Sequence, residues 1–263
     1  NAKYACHIVT VEDPIEYAFR DKRSVINQRE IGFDTKSFSK ALRAALRQDP
    51  DVILVGEMRD LETTEIAMTA AETGHLVLST LHTVDAVETI NRIISIFPPH
   101  QQAQVRLQLA GIIRGVVSQR LVPRADGKGM VPAVEIMVQT ARVRELIEDA
   151  NRTREINEAI ATGREPYGMM SFDQSLTELV KAKLVTYDEA LRHSTSPDDF
   201  ALVFRGVSRG GSADGWQQEQ VVKQNVGPMA ARRLATPPSG APTKQAGEHA
   251  QAPGFEIERF GKE

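Results

Sequence analysis

The sequence is notable first for what it lacks. It has one cysteine, Cys6, in 263 residues. No disulfide can form within the chain, which fits a reducing, cytoplasmic setting. No C-x-x-C pair exists, so a four-cysteine zinc site is excluded. No run of about 18 apolar residues occurs, so no stretch reads as a membrane-spanning helix. The stretch after Asn1 does not have the pattern of a signal peptide. Neither G-x-S-x-G nor H-E-x-x-H appears, which argues against a serine hydrolase of that type and against a zincin. Charge of one sign is also lacking: 32 basic against 35 acidic residues give a formal net charge of −3 and no global attraction to nucleic acid. One absence weighs most. No G-x-x-x-x-G-K-S/T is present, and Asp126-Gly127-Lys128-Gly129 lacks that spacing and reads as a hairpin turn.

Enough apolar material (41%) remains to build a core. His7 to Val11 is short and β-branched and reads as a buried strand, with Ser24 to Ile31 as a more exposed one. Ser37 is a plausible N-cap for a helix from Phe38 to about Gln48, ended by Asp49-Pro50-Asp51. Val52 to Val55 is continuously apolar, like a parallel strand covered on both faces. A helix over Leu61 to Thr73, stopped by Gly74, leads to a third buried strand, His75 to Leu81. Helices over Val84 to Ile96 and about His100 to Leu121 follow, then a strand over Val131 to Val138. This alternation predicts an α/β layer architecture around a parallel sheet for residues 1–139. Residues 140–205 predict a small subdomain of short helices, at 141–150, 153–162, 171–182, 186–193 and 197–204. Residues 206–263, rich in Gly, Pro, Ala, Gln and Lys, predict a disordered tail.

Three segments bearing acids or imidazoles follow predicted strands. They are Val11 to Tyr17, Val55 to Asp60 and Ser79 to Thr83. In open α/β sheets ligands bind beyond the carboxyl ends of the strands, so the three are expected to converge on one crevice. Carboxylates there suit a hydrated Mg²⁺ bound together with substrate phosphates, and another carboxylate can orient an attacking water. Glu57 follows four apolar residues, as a Walker-B acid does; alternatively it caps the helix behind it. Glu12, Asp13 and Glu16 place three negative charges within five residues and call for a cation or arginine nearby, or else form a solvated turn. His82 sits just past a strand, next to Thr80 and Thr83, where it can meet a terminal phosphate, with a structural reading of equal standing; His75 opens the same strand, and for it the structural reading comes first. Arg43 and Arg47 share a helix face, which either stays solvated or reaches phosphate or a neighbouring subunit.

These residues carry a family likeness. Thr10 to Tyr17 resembles the Asp box of the secretion and type IV pilus ATPases. Leu46 to Asp60 resembles their Walker-B segment, and Thr73 to Thr83 their His box. Ala141-Arg142-Val143-Arg144-Glu145-Leu146-Ile147 is similar to the A-I-R-N-L-I motif of the pilus retraction branch, matching at Arg144, Leu146 and Ile147 and departing at Arg142 and Glu145. Gly168 to Leu176 is similar to the same branch.

The resemblance implies a RecA-like P-loop ATPase working as a homo-hexameric motor with ATP and Mg²⁺. It implies retraction of type IV pili (twitching motility) at the inner face of the inner membrane, reached through a membrane platform protein. By the same likeness Glu57 is the Walker-B acid; Glu12, Asp13 and Glu16 form the Asp box, with Glu16 a water activator; His75 and His82 form the His box. Glu57 and Asp13 are the expected metal-side carboxylates, and Thr80, His75, Arg43 and Arg47 the expected nucleotide contacts. The first strand and Walker A of that fold are missing here, so the chain is expected to be part of a longer protein and inactive by itself. Two other readings stay open: a type II or type IV secretion or pilus assembly ATPase, and a non-catalytic docking paralogue without a P-loop.

Overall fold

A computed structural model describes residues 1–204. The predicted tail at 206–263 lies outside the described residues. Four strands form one parallel sheet: β1 (His7–Glu12), β2 (Val25–Glu30), β3 (Val52–Val55) and β4 (Leu76–Ser79), in the order β2-β1-β3-β4. The register aligns Val11 with Val55, and Val55 with Ser79. The carboxyl ends of β1, β3 and β4 therefore finish level with one another.

Helices α1 (Phe38–Ala45) and α2 (Leu61–Glu72) cover the sheet. Ser37 caps α1 as predicted, its side chain accepting from Lys40 N–H. Leu42 of α1, Ile66, Ala67 and Ala70 of α2, and Val11, Ile53 and Val55 of the strands form one apolar cluster. At the end of α2, Gly74 has φ +105°, a conformation that favours glycine and turns the chain into β4.

Helices α3 (Ala86–Ser95) and α4 (Pro99–Ile112) come next. Here the structure departs from the sequence-based expectation. The helix predicted to run to Leu121 ends at Ile112, and strand β5 (Gly115–Pro123) follows. It pairs antiparallel with β6 (Met130–Val138), residue for residue from Gly115↔Val138 to Pro123↔Met130, around the predicted turn at Asp126. This hairpin is a separate two-stranded sheet and does not extend the parallel one. Gly115 permits the pairing, since a Cβ there would lie 2.9 Å from Met137 O. β4 also differs from expectation: Leu76 and Leu78 are 49% and 47% exposed, because no described strand lies beyond it.

The helices after Thr140 are α5 (Ala141–Glu148), α6 (Ile156–Thr162, led by a 3₁₀ turn at Thr153–Glu155), α7 (Arg164–Tyr167), α8 (Phe172–Lys181), α9 (Tyr187–His193) and α10 (Pro197–Phe204). The short α7 was not expected. One apolar cluster joins Ile90 of α3 and Leu109 of α4 to Val143, Leu146 and Ile147 of α5 and Ile156 and Ile160 of α6. A second joins Val122 and Ala133 of the hairpin to Phe172, Leu176, Ala190 and Phe200. No helix among the described residues is long and apolar enough to cross a membrane.

Candidate functional site

Gly56 is the point where three strand ends meet. Its N–H donates to Val11 O at 2.7 Å, extending the β1–β3 ladder by one residue. Its carbonyl accepts from Thr80 Oγ1, which ties the end of β4 to the end of β3. A Cβ on Gly56 would lie 3.1 Å from Val11 O and 3.4 Å from Glu12 Cα, so a side chain has little room there.

Glu57 follows directly. Its carboxylate lies 2.6 Å from Arg59 Nη2 and 3.5 Å from His82 Nε2, and is 18% exposed. The hydrogen bond from Arg59 holds its carboxyl below the usual range, against an opposing push from burial, with the charges of Arg59 and His82 adding to the fall. Glu57 is therefore ionised at neutral pH. It does not cap α2. Asp60 does that, accepting from Thr63 N–H at 2.8 Å. The two readings of Glu57 are thereby separated: the capping role belongs to another residue.

His82 lies on the loop between β4 and α3 and is 82% exposed. The loop is held at both ends. Thr80 bonds Gly56, and Thr83 Oγ1 lies 2.6 Å from Thr89 Oγ1 of α3. Glu57, Arg59 and His82 line a cavity of about 400 Å³ together with Met58, Leu81 and Arg92. Arg92 escaped the sequence reading. The signal available was its position one turn after Thr89, the helix residue that holds the His82 loop.

The acidic segment after β1 is placed less uniformly. Glu12 accepts from Thr10 Oγ1 at 2.6 Å and from Gln28 Nε2 at 3.0 Å, so hydrogen bonds from β1 and β2 satisfy it. Asp13 is exposed and adds to the field that keeps Arg59 charged, after the larger effect of Glu57. Glu16 is exposed on a loop that Gln28 and Glu30 pin at Tyr17, Phe19 and Ile15. The structure does not join Glu16 to Glu57.

The remaining candidates lie apart. His75 is at the opposite end of β4 from His82, roughly 15 Å from Thr80 along the strand. Its Nδ1 lies 3.0 Å from Ala70 O and 3.2 Å from Thr73 Oγ1, where it closes the end of α2. Arg43 pairs with Glu62 at 2.9 Å and joins α1 to α2 at the surface. Arg47 is exposed just beyond α1. The 400 Å³ cavity thus gathers Glu57, Arg59, His82 and Arg92, while His75 and Thr80 line with His82 a second, larger groove, and Arg43 and Arg47 line neither.

Among the described residues no group of three or more His, Cys, Asp or Glu is arranged to hold a metal ion. A single ionised carboxylate fits Mg²⁺, which keeps most of its waters and takes one or two carboxylates plus phosphate oxygens. Two guanidinium groups and an imidazole on the same cavity suit those phosphates.

Beside this cavity a groove of about 1070 Å³ runs along the outer edge of β4. Leu76, Leu78, Ile113 and Val117 are among its lining. Ser79 Oγ is buried and has no hydrogen-bond partner among the described residues.

Residues 2–216 match the family described as type II/IV secretion system protein. The chain belongs to this family. It is 46% identical over 200 residues to a type IV pilus retraction ATPase, PilT, of Pseudomonas aeruginosa, covering 76% of this chain and 57% of that protein. It is 45% identical over 202 residues to a twitching motility protein of Neisseria gonorrhoeae, covering 77% and 54%. Among solved structures it is similar to the pilus retraction motor PilT with bound ADP, at 48% identity and a TM-score of 0.67, covering 75% of this chain and 55% of that one. The RecA-like α/β fold expected from the sequence is thus that of the secretion ATPases. The chain spans about half the length of the curated relatives it matches.

Proposed function

We propose that this chain supplies the Walker-B and sensor side of the ATP site in a hexameric motor ATPase that retracts type IV pili. The observation that carries the reading is the Glu57–His82 pair at the level carboxyl ends of β3 and β4, with Arg59 and Arg92 on the same cavity. Its relatives of this identity and extent support the retraction branch. The working site is cytoplasmic, and a membrane platform protein receives the motion.

Glu57 is the acid kept ionised to hold a hydrated Mg²⁺, with Asp13 the second carboxylate at the border. Mg²⁺ bound there supplies Lewis-acid stabilisation of phosphoryl charge. His82 faces Glu57 and is open to solvent, placed to donate a hydrogen bond to a terminal phosphate. Thr80 fixes the loop on Gly56. Arg59 and Arg92 offset phosphate charge. Glu16 keeps the role that the resemblance implies, orienting the attacking water. Arg43, Arg47 and His75 lie outside the cavity and face a neighbouring subunit or serve the scaffold.

The phosphate cradle comes from sequence outside this chain, and its strand occupies the groove beside β4. The open edge of β4 and the unpartnered Ser79 hydroxyl support that placement. This chain by itself should therefore show no ATP turnover, and measurable turnover would refute the placement. In a protein carrying the cradle, Glu57→Gln should lower ATP turnover by about 10²–10⁴-fold while nucleotide binding persists. Unchanged turnover would sink the role given to Glu57.

A further inference from the structure

Glu135 is an acid in the wrong place for a surface residue. It lies in the middle of β6 and is 6% exposed. Burial pushes its carboxyl up, with Asp85 on α3 adding to the rise; the Ala86 N–H bond, Arg120 on β5 and the Ser118 bond pull the other way. A polar group kept in such surroundings needs hydrogen-bond partners. Its Oε1 accepts from Ala86 N–H at 2.8 Å, the first amide of α3, and lies 3.4 Å from Ser118 Oγ across the hairpin.

This bond does more than cap a helix. Asp85 already caps α3, accepting from Glu88 N–H at 2.7 Å. Glu135 takes a different amide, and it comes from another sheet. The neighbouring residues of β6 bond elsewhere. Val134 N–H donates to Ser175 Oγ of α8 at 3.0 Å, and Ile136 exchanges backbone bonds of 2.7 and 3.0 Å with Met170. Three consecutive residues of one strand thus hold α8, α3 and the Met170 segment. The first turns of α3 in turn hold the far end of the His82 loop, through Thr89 to Thr83 and through Glu88 to Val84 N–H at 3.0 Å.

We propose that Glu135 is a positioning residue for the Glu57–His82 pair: it clamps the start of α3, and so the far anchor of the His82 loop, to the β5–β6 hairpin. Through the bonds of Val134 and Ile136 the hairpin carries the helical segments after Thr140, so His82 and those segments are held in one mechanical frame. The importance of the pair rests on the function proposed above.

The test needs no nucleotide and uses this chain in NMR. Glu135→Leu removes the acceptor and keeps an apolar side chain of similar length. Ala86 amide exchange should rise by about tenfold, the scale of losing one buried hydrogen bond. The His82 ring resonances should move toward those of Glu57→Gln, which reports loss of the His82–Glu57 contact. Glu135→Gln, which keeps a carbonyl acceptor, should restore both. His82 resonances unmoved in Glu135→Leu, with Ala86 exchange raised, would reduce Glu135 to a local cap and overturn the proposal. Should Glu135→Leu fail to fold, Ala86→Pro decides. It removes the donor instead, at the first helical position where proline is accepted, behind an Asp85 already extended at φ −156° and ψ 176°. It should move the same His82 resonances, and their constancy would overturn the proposal. A chain that never hydrolyses ATP can pass this test and an active motor can fail it, so the two readings stand or fall separately.

Discussion

Gly56→Ala is the sharpest perturbation of the strand ends. The added methyl would sit 3.1 Å from Val11 O and 3.4 Å from Glu12 Cα, both backbone atoms that no rotamer change can move. Relief requires β3 to shift from β1, against the 2.7 Å bond from Gly56 N–H to Val11 O and the Thr80 bond to Gly56 O. Overpacking of this kind costs about 1–3 kcal/mol. Alanine returns about 0.4–1 kcal/mol by restricting the unfolded chain. The net loss is about 1–2 kcal/mol, or roughly 2–8 °C in Tm for a unit of this size. Gly111→Ala is the internal control. It lies in α4 with no atom within 4 Å of its added Cβ, so it should stabilise by up to about 1 kcal/mol. Thermal unfolding followed by circular dichroism reads both. Opposite signs support the strand-end geometry. A Gly56→Ala protein that melts at or above the parent temperature would refute it.

Two further outcomes are expected. The Asp126 carboxyl is pulled down to about 2, first by the hydrogen bond from Arg124 and then by Lys128 N–H. Its contribution to the hairpin is therefore complete above the ordinary carboxylate range and is lost as pH falls toward 2. Carboxyl NMR titration should show this, and Arg124→Ala should return the midpoint toward the ordinary range; no movement would refute the assignment. Leu146, fully buried in the apolar cluster where α5 packs on α4 and α6, should cost about 2–5 kcal/mol as Leu146→Ala in urea unfolding. A loss under about 1 kcal/mol would show that the site collapses around the smaller side chain. The apolar positions of the segment that resembles A-I-R-N-L-I are thus core. Its exposed arginines, Arg142 and Arg144, pair with Glu158 and Glu148 at the surface.

The parallel strands were legible because burial on both faces leaves a continuous apolar run, as in Val52 to Val55. Helix starts were legible where a side chain does the capping, as at Ser37. β5 was not. Ile112, Ile113, Val116 and Val117 keep a helical period going through the end of α4, and only Gly115 and the need of β6 for a partner argue for a strand. The candidate site was legible at Glu57, Thr80 and His82, since a four-residue strand fixes which residue stands at its end. Arg92 was hidden because its role comes from the packing of α3 beside the loop. His75 stands at the other end of β4 from His82, and the two meet only as opposite parts of the lining of the groove beside that strand.

The two outer strands of the parallel sheet are finished differently. β2 carries Asn27, Gln28, Arg29 and Glu30, polar and charged groups that discourage further pairing. β4 is Leu-Val-Leu-Ser, with no charge or proline, and its outer edge is unpaired among the described residues. Such an edge is a template for any extended chain that reaches it. Two copies of this chain can therefore stick edge to edge through β4. An oligomer of the isolated chain on a sizing column would report that adhesion before it reported a ring, and a charged substitution at Leu78 would tell the two apart.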